Sequence, residues 1–239
     1  GFEQPRLSLI KEICKTKNVS LVIDNVQSPL SKKNFQGDYN FNSLRKLLPL
    51  PDGAILKINN NNFEDFKLKK NYSANLRFIG LFLKNVSYFK SFWYPLLRYY
   101  ENNLVNKDPC PLYGSRISSN LIKKINFRDI IKVRPENYLY LRNKLSSLDI
   151  DFLHQDLGKN VCPLSLPILV AERDKVRNFL IMKKIYPPVH WDLSSIINKS
   201  DFPQSVEISK RILSLPIDQR YSKNDMNKIA TELSNALKN

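Results

Sequence analysis

Apolar positions along the chain follow two periods. Leu7, Ile10, Ile13 and Cys14 recur every three or four residues with Lys and Glu opposite, which predicts an amphipathic helix over 7–17. The next run, Val19-Ser-Leu-Val-Ile23, is short, rich in branched residues and ends on Asp24. It predicts a buried parallel strand, because strands covered on both faces read as continuous apolar runs. Ser28-Pro29 to Gln36-Gly37 has no period and reads as loop, and Phe41–Leu44 predicts a short strand. Pro49, Pro51 and Gly53 punctuate a turn, Ala54–Ile58 predicts another strand, and residues 59–62 form a polar loop tip.

Between residues 74 and 105 the spacing of Leu76, Ile79, Leu83, Val86, Trp93, Leu97 and Tyr100 predicts helix with a break near Pro95. Its aromatic stripe fits burial against the domain or a second copy better than a sugar- or partner-binding surface. Residues 118–146 read as helices, with Pro135 placed in a first turn. Cys162–Val170 predicts a strand, Glu172–Lys184 a helix with Val176, Phe179 and Leu180 inward, and Val189–Trp191 a short strand. Ser222-x-x-Asp225 is a capping-box variant that opens a last helix, with Met226, Ile229, Leu233 and Leu237 as its docking stripe. Strands alternate with helices and no repeat is visible, so the class is α/β.

At 239 residues the chain can hold one large or two small domains with ample core. No apolar run is long enough to span a bilayer and the N-terminus is not signal-like. Cys14, Cys110 and Cys162 are scattered, which speaks against a metal site or a disulfide framework and suits a reducing cytoplasm. The net charge of +16 raises the question of a polyanion partner. The lysines are interleaved with Asn, Ile and Ser along the whole chain and form no basic block, so a nucleic-acid partner is not expected.

The strongest chemical pattern is Asp24 at a strand end, followed some twenty residues on by Ser43-x-x-Lys46 and a turn. Ligands in α/β folds sit at the carboxyl ends of parallel strands. A carboxylate, a hydroxyl and an amine placed there suit a cofactor with a basic ring nitrogen, a phosphate and an aldehyde, namely pyridoxal 5′-phosphate. Asp24 would keep the ring nitrogen protonated, Ser43 would donate to the phosphate, and Lys46 would form the Schiff base. The plain alternatives are a turn-forming Asp and an ordinary surface lysine.

The surrounding motifs resemble the DegT/DnrJ/StrS family of PLP-dependent sugar aminotransferases. They are Asp24-Asn-Val-Gln27, Gly37-Asp38, Ser43, and Lys46 six residues before Asp52-Gly53-Ala54. Most members place the Ser and the Lys five apart; here they are three apart. Arg134-Pro-Glu-Asn-Tyr138, Ile185-Tyr-Pro-Pro-Val-His190-Trp191 and Ile212 to Met226 are similar to later motifs of the family, in the same order. Where Tyr113-Gly-Ser-Arg-Ile-Ser118 stands, the family has Asn-Tyr-Arg-Met-Ser, whose Asn reaches the neighbouring subunit's cofactor phosphate. Arg116 and Ser118 match and the Asn does not, so that contact is not carried over.

The resemblance implies a type I PLP-dependent aminotransferase fold, with 1–117 as the C-terminal part of the PLP-binding large domain and 118–239 as an α/β small domain. It places Lys46 as the catalytic lysine and Asp24, Gln27, Ser43 and Lys46 as the cofactor-binding set, with Gln27 beside the ring and its 3-hydroxyl. It further implies an amino-acid donor (glutamate), a nucleotide-linked keto-sugar acceptor, a homodimer, a cytoplasmic location, and no metal or membrane partner. Residues 1–5 resemble a segment in the middle of the family's large domain, so an upstream portion of that domain is expected to be missing. In the family that portion supplies a small-residue loop under the phosphate and a ring stacked on the cofactor. Rival readings are a non-catalytic homologue acting as a binding protein, and a dehydratase of the same fold. Some family members carry His in place of the lysine, and Lys46 speaks for amine transfer. His190 beside Trp191 reads as a packing or hydrogen-bonding residue before it reads as a general base.

Overall fold

In a computed structural model, residues 6–32, 35–59, 67–71, 73–86, 95, 99, 112–193 and 196–238 are described. The chain divides into two compact units, one of residues 4–29 and 33–126, the other mainly of residues 127–239.

The first unit opens with helix α1 (Leu7–Thr16). Leu7, Ile10 and Cys14 are half-buried, while Leu9 and Ile13 stay about half exposed, so the amphipathic stripe is only partly used. A three-stranded sheet follows, of β1 (Val22–Asp24), β2 (Tyr39–Ser43) and β3 (Ala54–Ile58), in the order β1-β2-β3. β1 pairs parallel to β2 with Asp24 opposite Phe41, and β2 pairs antiparallel to β3 with Ser43 opposite Ala54. The parallel arrangement agrees with the sequence reading; the expected burial does not. β1 has a strand on one side only, Val22 is 58% exposed, and Ile55 and Leu56 of β3 lie open as well. An apolar run reports the faces a strand can cover, and here those faces lack a covering layer among the described residues.

Gly37-Asp38 has a clear structural reason. A Cβ on Gly37 would lie 2.7 Å from the Leu21 carbonyl oxygen and 2.8 Å from Ile23 Cγ1, so only glycine lets the two segments meet. The Leu21 N–H then donates to Asp38 Oδ2 at 2.7 Å. The fully buried Asn40 accepts from the Gly37 N–H at 2.8 Å and donates to the Gly37 carbonyl at 2.7 Å. Helices α2 (Ser73–Val86) and α3 (Arg116–Ile122) complete the described part of this unit. Of the expected stripe, Leu76 and Leu83 are half-buried and Ile79 is exposed, and Phe78, Leu81 and Phe82 beside it are exposed as well. Trp93, Leu97 and Tyr100 of the expected aromatic helix lie outside the described residues, as do residues 1–5.

The second unit packs α4 (Phe127–Lys144), α5 (Arg173–Met182), α6 (Pro203–Arg211) and α7 (Lys223–Lys238) with an antiparallel sheet. That sheet comprises β4 (Asp151–Phe152), β5 (Ser165–Leu169) and β6 (Ile212–Pro216), with β5 central. One cluster joins Tyr138 and Leu141 of α4, Leu166 and Ile168 of β5, Leu213 and Leu215 of β6, and Met226, Ile229 and Leu233 of α7. The Ser222/Asp225 capping box is present: the Ser222 N–H donates to Asp225 Oδ2 at 2.8 Å and the Asp225 N–H to Ser222 Oγ at 3.4 Å.

Two expectations are corrected here. Pro135 lies inside α4, not in a first turn. It leaves the Ile131 carbonyl without its helical donor, and that position is exposed enough for water to serve it. Val189–Trp191 forms no strand; the Ser214 N–H reaches the Pro188 carbonyl, and the His190 ring pairs with the Ser214 hydroxyl at 2.9 Å.

Arg134 organises this unit. Its guanidinium is 2% exposed and donates to Gln219 Oε1, the Pro163 and Leu164 carbonyls and Asp218 Oδ2, at 2.7 to 3.1 Å. Asn137 donates to the Asp218 and Tyr221 carbonyls. Beside it Cys162 is buried, and burial pushes its thiol up to about 11, which makes it an inert core group. No helix among the described residues is long and apolar enough to cross a membrane.

Two substitutions test this architecture. Arg134→Met removes the donor from a buried ion pair and two carbonyls and should cost about 3 kcal/mol or more in urea denaturation. Gly37→Ala should lower stability by about 2 kcal/mol by forcing β1 from β2, with faster hydrogen exchange at the Tyr39 and Asn25 amides.

Candidate functional site

The first unit carries all four residues expected to hold the cofactor. Parallel pairing puts the carboxyl ends of β1 and β2 at one edge of the sheet. Asp24 closes β1 there, exposed, with Oδ1 accepting from the Val26 N–H at 2.8 Å. That local bond holds the carboxylate at the strand end and leaves Oδ2 for a ligand. Ser43 closes β2 two residues past the partner of Asp24, roughly 6–7 Å further along the strand. Its hydroxyl makes no capping bond to the turn that follows.

That turn is a single 3₁₀ turn, Leu44–Lys46. Leu44, Leu47, Leu48 and Leu50 are each less than a tenth exposed, so the loop is anchored from within by four leucines. The Leu44 N–H donates to the Gly53 carbonyl and the Leu48 N–H to the Leu44 carbonyl, at 3.1 and 2.9 Å. Gly53 sits at φ +123°, a conformation that needs glycine. Lys46 is turned outward, exposed, with no hydrogen bond or ion pair among the described residues.

Gln27 follows Asp24 in the β1 exit loop. Its Oε1 is buried and has no hydrogen-bond partner, as has the Nδ2 of buried Asn42 on β2. Such atoms are uncommon, but Arg142 Nε and Glu232 Oε2 of the other unit share this state, so it does not by itself mark a ligand site. The donor set is that of a carboxylate, an amide, a hydroxyl and an amine at one sheet edge, and it fits pyridoxal 5′-phosphate.

Asp52, which the motif puts in the turn after Lys46, is the most heavily hydrogen-bonded carboxylate among the described residues of this unit. Its Oδ1 accepts from Ser115 Oγ at 2.7 Å and from Ser118 Oγ; its Oδ2 accepts from the Ser115 N–H at 2.8 Å and Asn71 Nδ2 at 2.7 Å. Ser115 is also the N-cap of α3, accepting from the Ser118 N–H. Asn71 Oδ1 accepts from the Ala74 N–H at the start of α2. A Ser-x-x-Ser pattern at a helix start was the signal available for this in the sequence. Burial pushes the Asp52 carboxyl up, but the donors from Ser118, Ser115 and Asn71 together outweigh it and hold it below the usual value of 3.8. His190 belongs to the other unit and is engaged with Ser214.

Compared by sequence with family models and curated proteins, the chain matches none. Among solved structures it is similar to a DegT DnrJ EryC1 StrS aminotransferase from Brucella abortus, with a TM-score of 0.64 and 16% identity over 95% of this chain and 60% of that one. The chain carries part of that aminotransferase fold. It is also similar to the aminotransferase TlmJ from Streptoalloteichus hindustanus, at TM-score 0.62 and 16% identity, over 98% of this chain and 62% of that one. The E. coli GDP-4-keto-6-deoxy-D-mannose-3-dehydratase, solved with hydrated PLP, matches at TM-score 0.59 and 14% identity, over 95% and 64%. The chain thus spans about three fifths of the length of these structures. The type I aminotransferase architecture expected from the motifs is the observed one.

A pH prediction follows from Asp52. Because its folded-state value lies below its unfolded one, its stabilising contribution is complete above the unfolded value and is lost as pH falls through the folded one. Urea midpoints should therefore drop below about pH 4 in the native chain. Asp52→Asn should start lower at neutral pH and lose less on acidification.

Proposed function

We propose that this chain is the lysine-bearing part of a PLP-dependent sugar aminotransferase of the DegT/DnrJ/StrS family. In this reading the unit that ends at residue 126 and includes α3 is the PLP-binding large domain expected for 1–117, and the remainder is the small domain expected for 118–239. The observation that supports it is the parallel pairing of β1 with β2: Asp24 and Ser43 end neighbouring strands and Lys46 follows in the next turn, in a chain with this fold.

Pyridoxal 5′-phosphate, when bound, supplies an aldehyde that carries the amino group and a ring that accepts electrons. Lys46 Nζ is the nucleophile that holds the aldehyde. When not bonded to the aldehyde, the same amine would be the group placed to hold and move a proton at the substrate carbon. With the cofactor bound, Asp24 would hold the proton on the ring nitrogen, Gln27 would lie by the ring's 3-oxygen side, and the Ser43 hydroxyl would donate to the phosphate. The donor is glutamate and the acceptor a nucleotide-linked keto-sugar, in polysaccharide or secondary-metabolite sugar synthesis. The substrate named for the E. coli neighbour is such a sugar, although that enzyme is a dehydratase. A lysine at position 46 favours amine transfer over dehydration. A cytoplasmic homodimer completes the proposal, and the exposed apolar face of α2 is consistent with a second copy.

The test is to incubate the purified chain with PLP, reduce it with borohydride and map the modified peptides by mass. The pyridoxyl label should concentrate on Lys46 and vanish from that peptide in Lys46→Ala. Label spread over many lysines, or none, would point instead to a non-catalytic protein of this fold.

A further inference from the structure

We infer that Asp52 is a positioning residue for Lys46: its carboxylate locks the turn that carries the lysine to the first turns of α2 and α3. The inference rests on the proposed role of Lys46 and extends it to a residue six positions away that does not touch the amine.

The turn from Leu44 to Gly53 is closed at its base by the Ser43–Ala54 pair and by the bond from the Leu44 N–H to the Gly53 carbonyl. Those bonds and the buried Leu47, Leu48 and Leu50 fix the loop itself, but its base has still to be held against the helices. Asp52 provides that hold. It is 5% exposed, and four donors from three residues converge on its two oxygens. Ser118 Oγ also lies 3.1 Å from the Asp52 backbone carbonyl and 3.4 Å from its N–H, so backbone and side chain are gripped together. Arg77 of α2 reaches the preceding Pro51 carbonyl at 3.4 Å.

A carboxylate offers about four acceptor sites, and here each has a donor. It is therefore fully used as a structural joint and is not available as an acid or base. Lys46 has the opposite character: its turn is fixed and its amine is free. Reactive groups gain from being held in place by neighbours that do not themselves react. Ser115 extends the device, because the same hydroxyl donates to Asp52 and accepts from the Ser118 N–H as the cap of α3.

Hydrogen exchange at fixed pH, read with and without PLP, tests this through Asp52→Asn, Ser115→Ala and Ser115→Thr. In the cofactor-free chain, exchange at the Leu44, Leu47 and Leu48 amides should rise about tenfold in Asp52→Asn and severalfold in Ser115→Ala. Ser115→Thr, which keeps the hydroxyl, should restore the native rates, and α4 amides should not change in any variant. With PLP and borohydride, the fraction of label on Lys46 should fall in the same order. If Asp52→Asn loses exchange protection throughout the first unit, the Ser115 pair decides alone. Unchanged exchange at the three leucines overturns the inference whether or not PLP binds. Faster exchange with undiminished labelling of Lys46 also overturns it, leaving the cofactor reading intact. Absence of label from the native chain removes that reading and the positioning role with it, even where the exchange pattern shows the joint to be real.

Discussion

In the first unit, one buried carboxylate sets the geometry. Asp52 could not remain charged in its surroundings without donors, since burial disfavours the charge; Ser115, Ser118 and Asn71 supply them. Because those donors belong to the starts of two helices, satisfying one side chain fixes three segments relative to the strand pair β2–β3. The polar requirement is local, and its structural consequence extends over the unit. Removing the charge would leave donors unmatched at three places.

The second unit uses the same logic with the opposite sign. The buried Arg134 guanidinium needs acceptors, and it finds them in two carbonyls of the segment before β5 and in Asp218 and Gln219 after β6. The residues that the family resemblance highlights in this region, Arg134, Asn137 and Tyr138, are thereby accounted for by folding. They connect α4 to the loops around the sheet and fill the core, and nothing in their geometry calls for a catalytic role.

The candidate site differs in kind from both joints. Ser43 and Lys46 carry groups that the fold leaves free, Asp24 keeps one oxygen for a ligand, and Gln27 holds a buried acceptor without a partner. Next to them stand positions whose polar groups are engaged in the fold, such as Asp52 and Asn40.

The sequence by itself determined the elements of strong local character and the order of motifs along the chain. The α/β alternation, β3 at Ala54–Ile58 and the capping box of the last helix were all legible, since period and turn residues are local properties. Only the tertiary structure decided what covers what. It left Val22 open on a strand that read as buried, kept Pro135 inside α4 because Arg134, Tyr138 and Leu141 on that helix are buried, and withheld a strand from Val189–Trp191. It also turned Asp52, Ser115 and Asn71, far apart in the chain, into one joint. Burial and polar satisfaction are sums over distant neighbours, and no window along the sequence contains them.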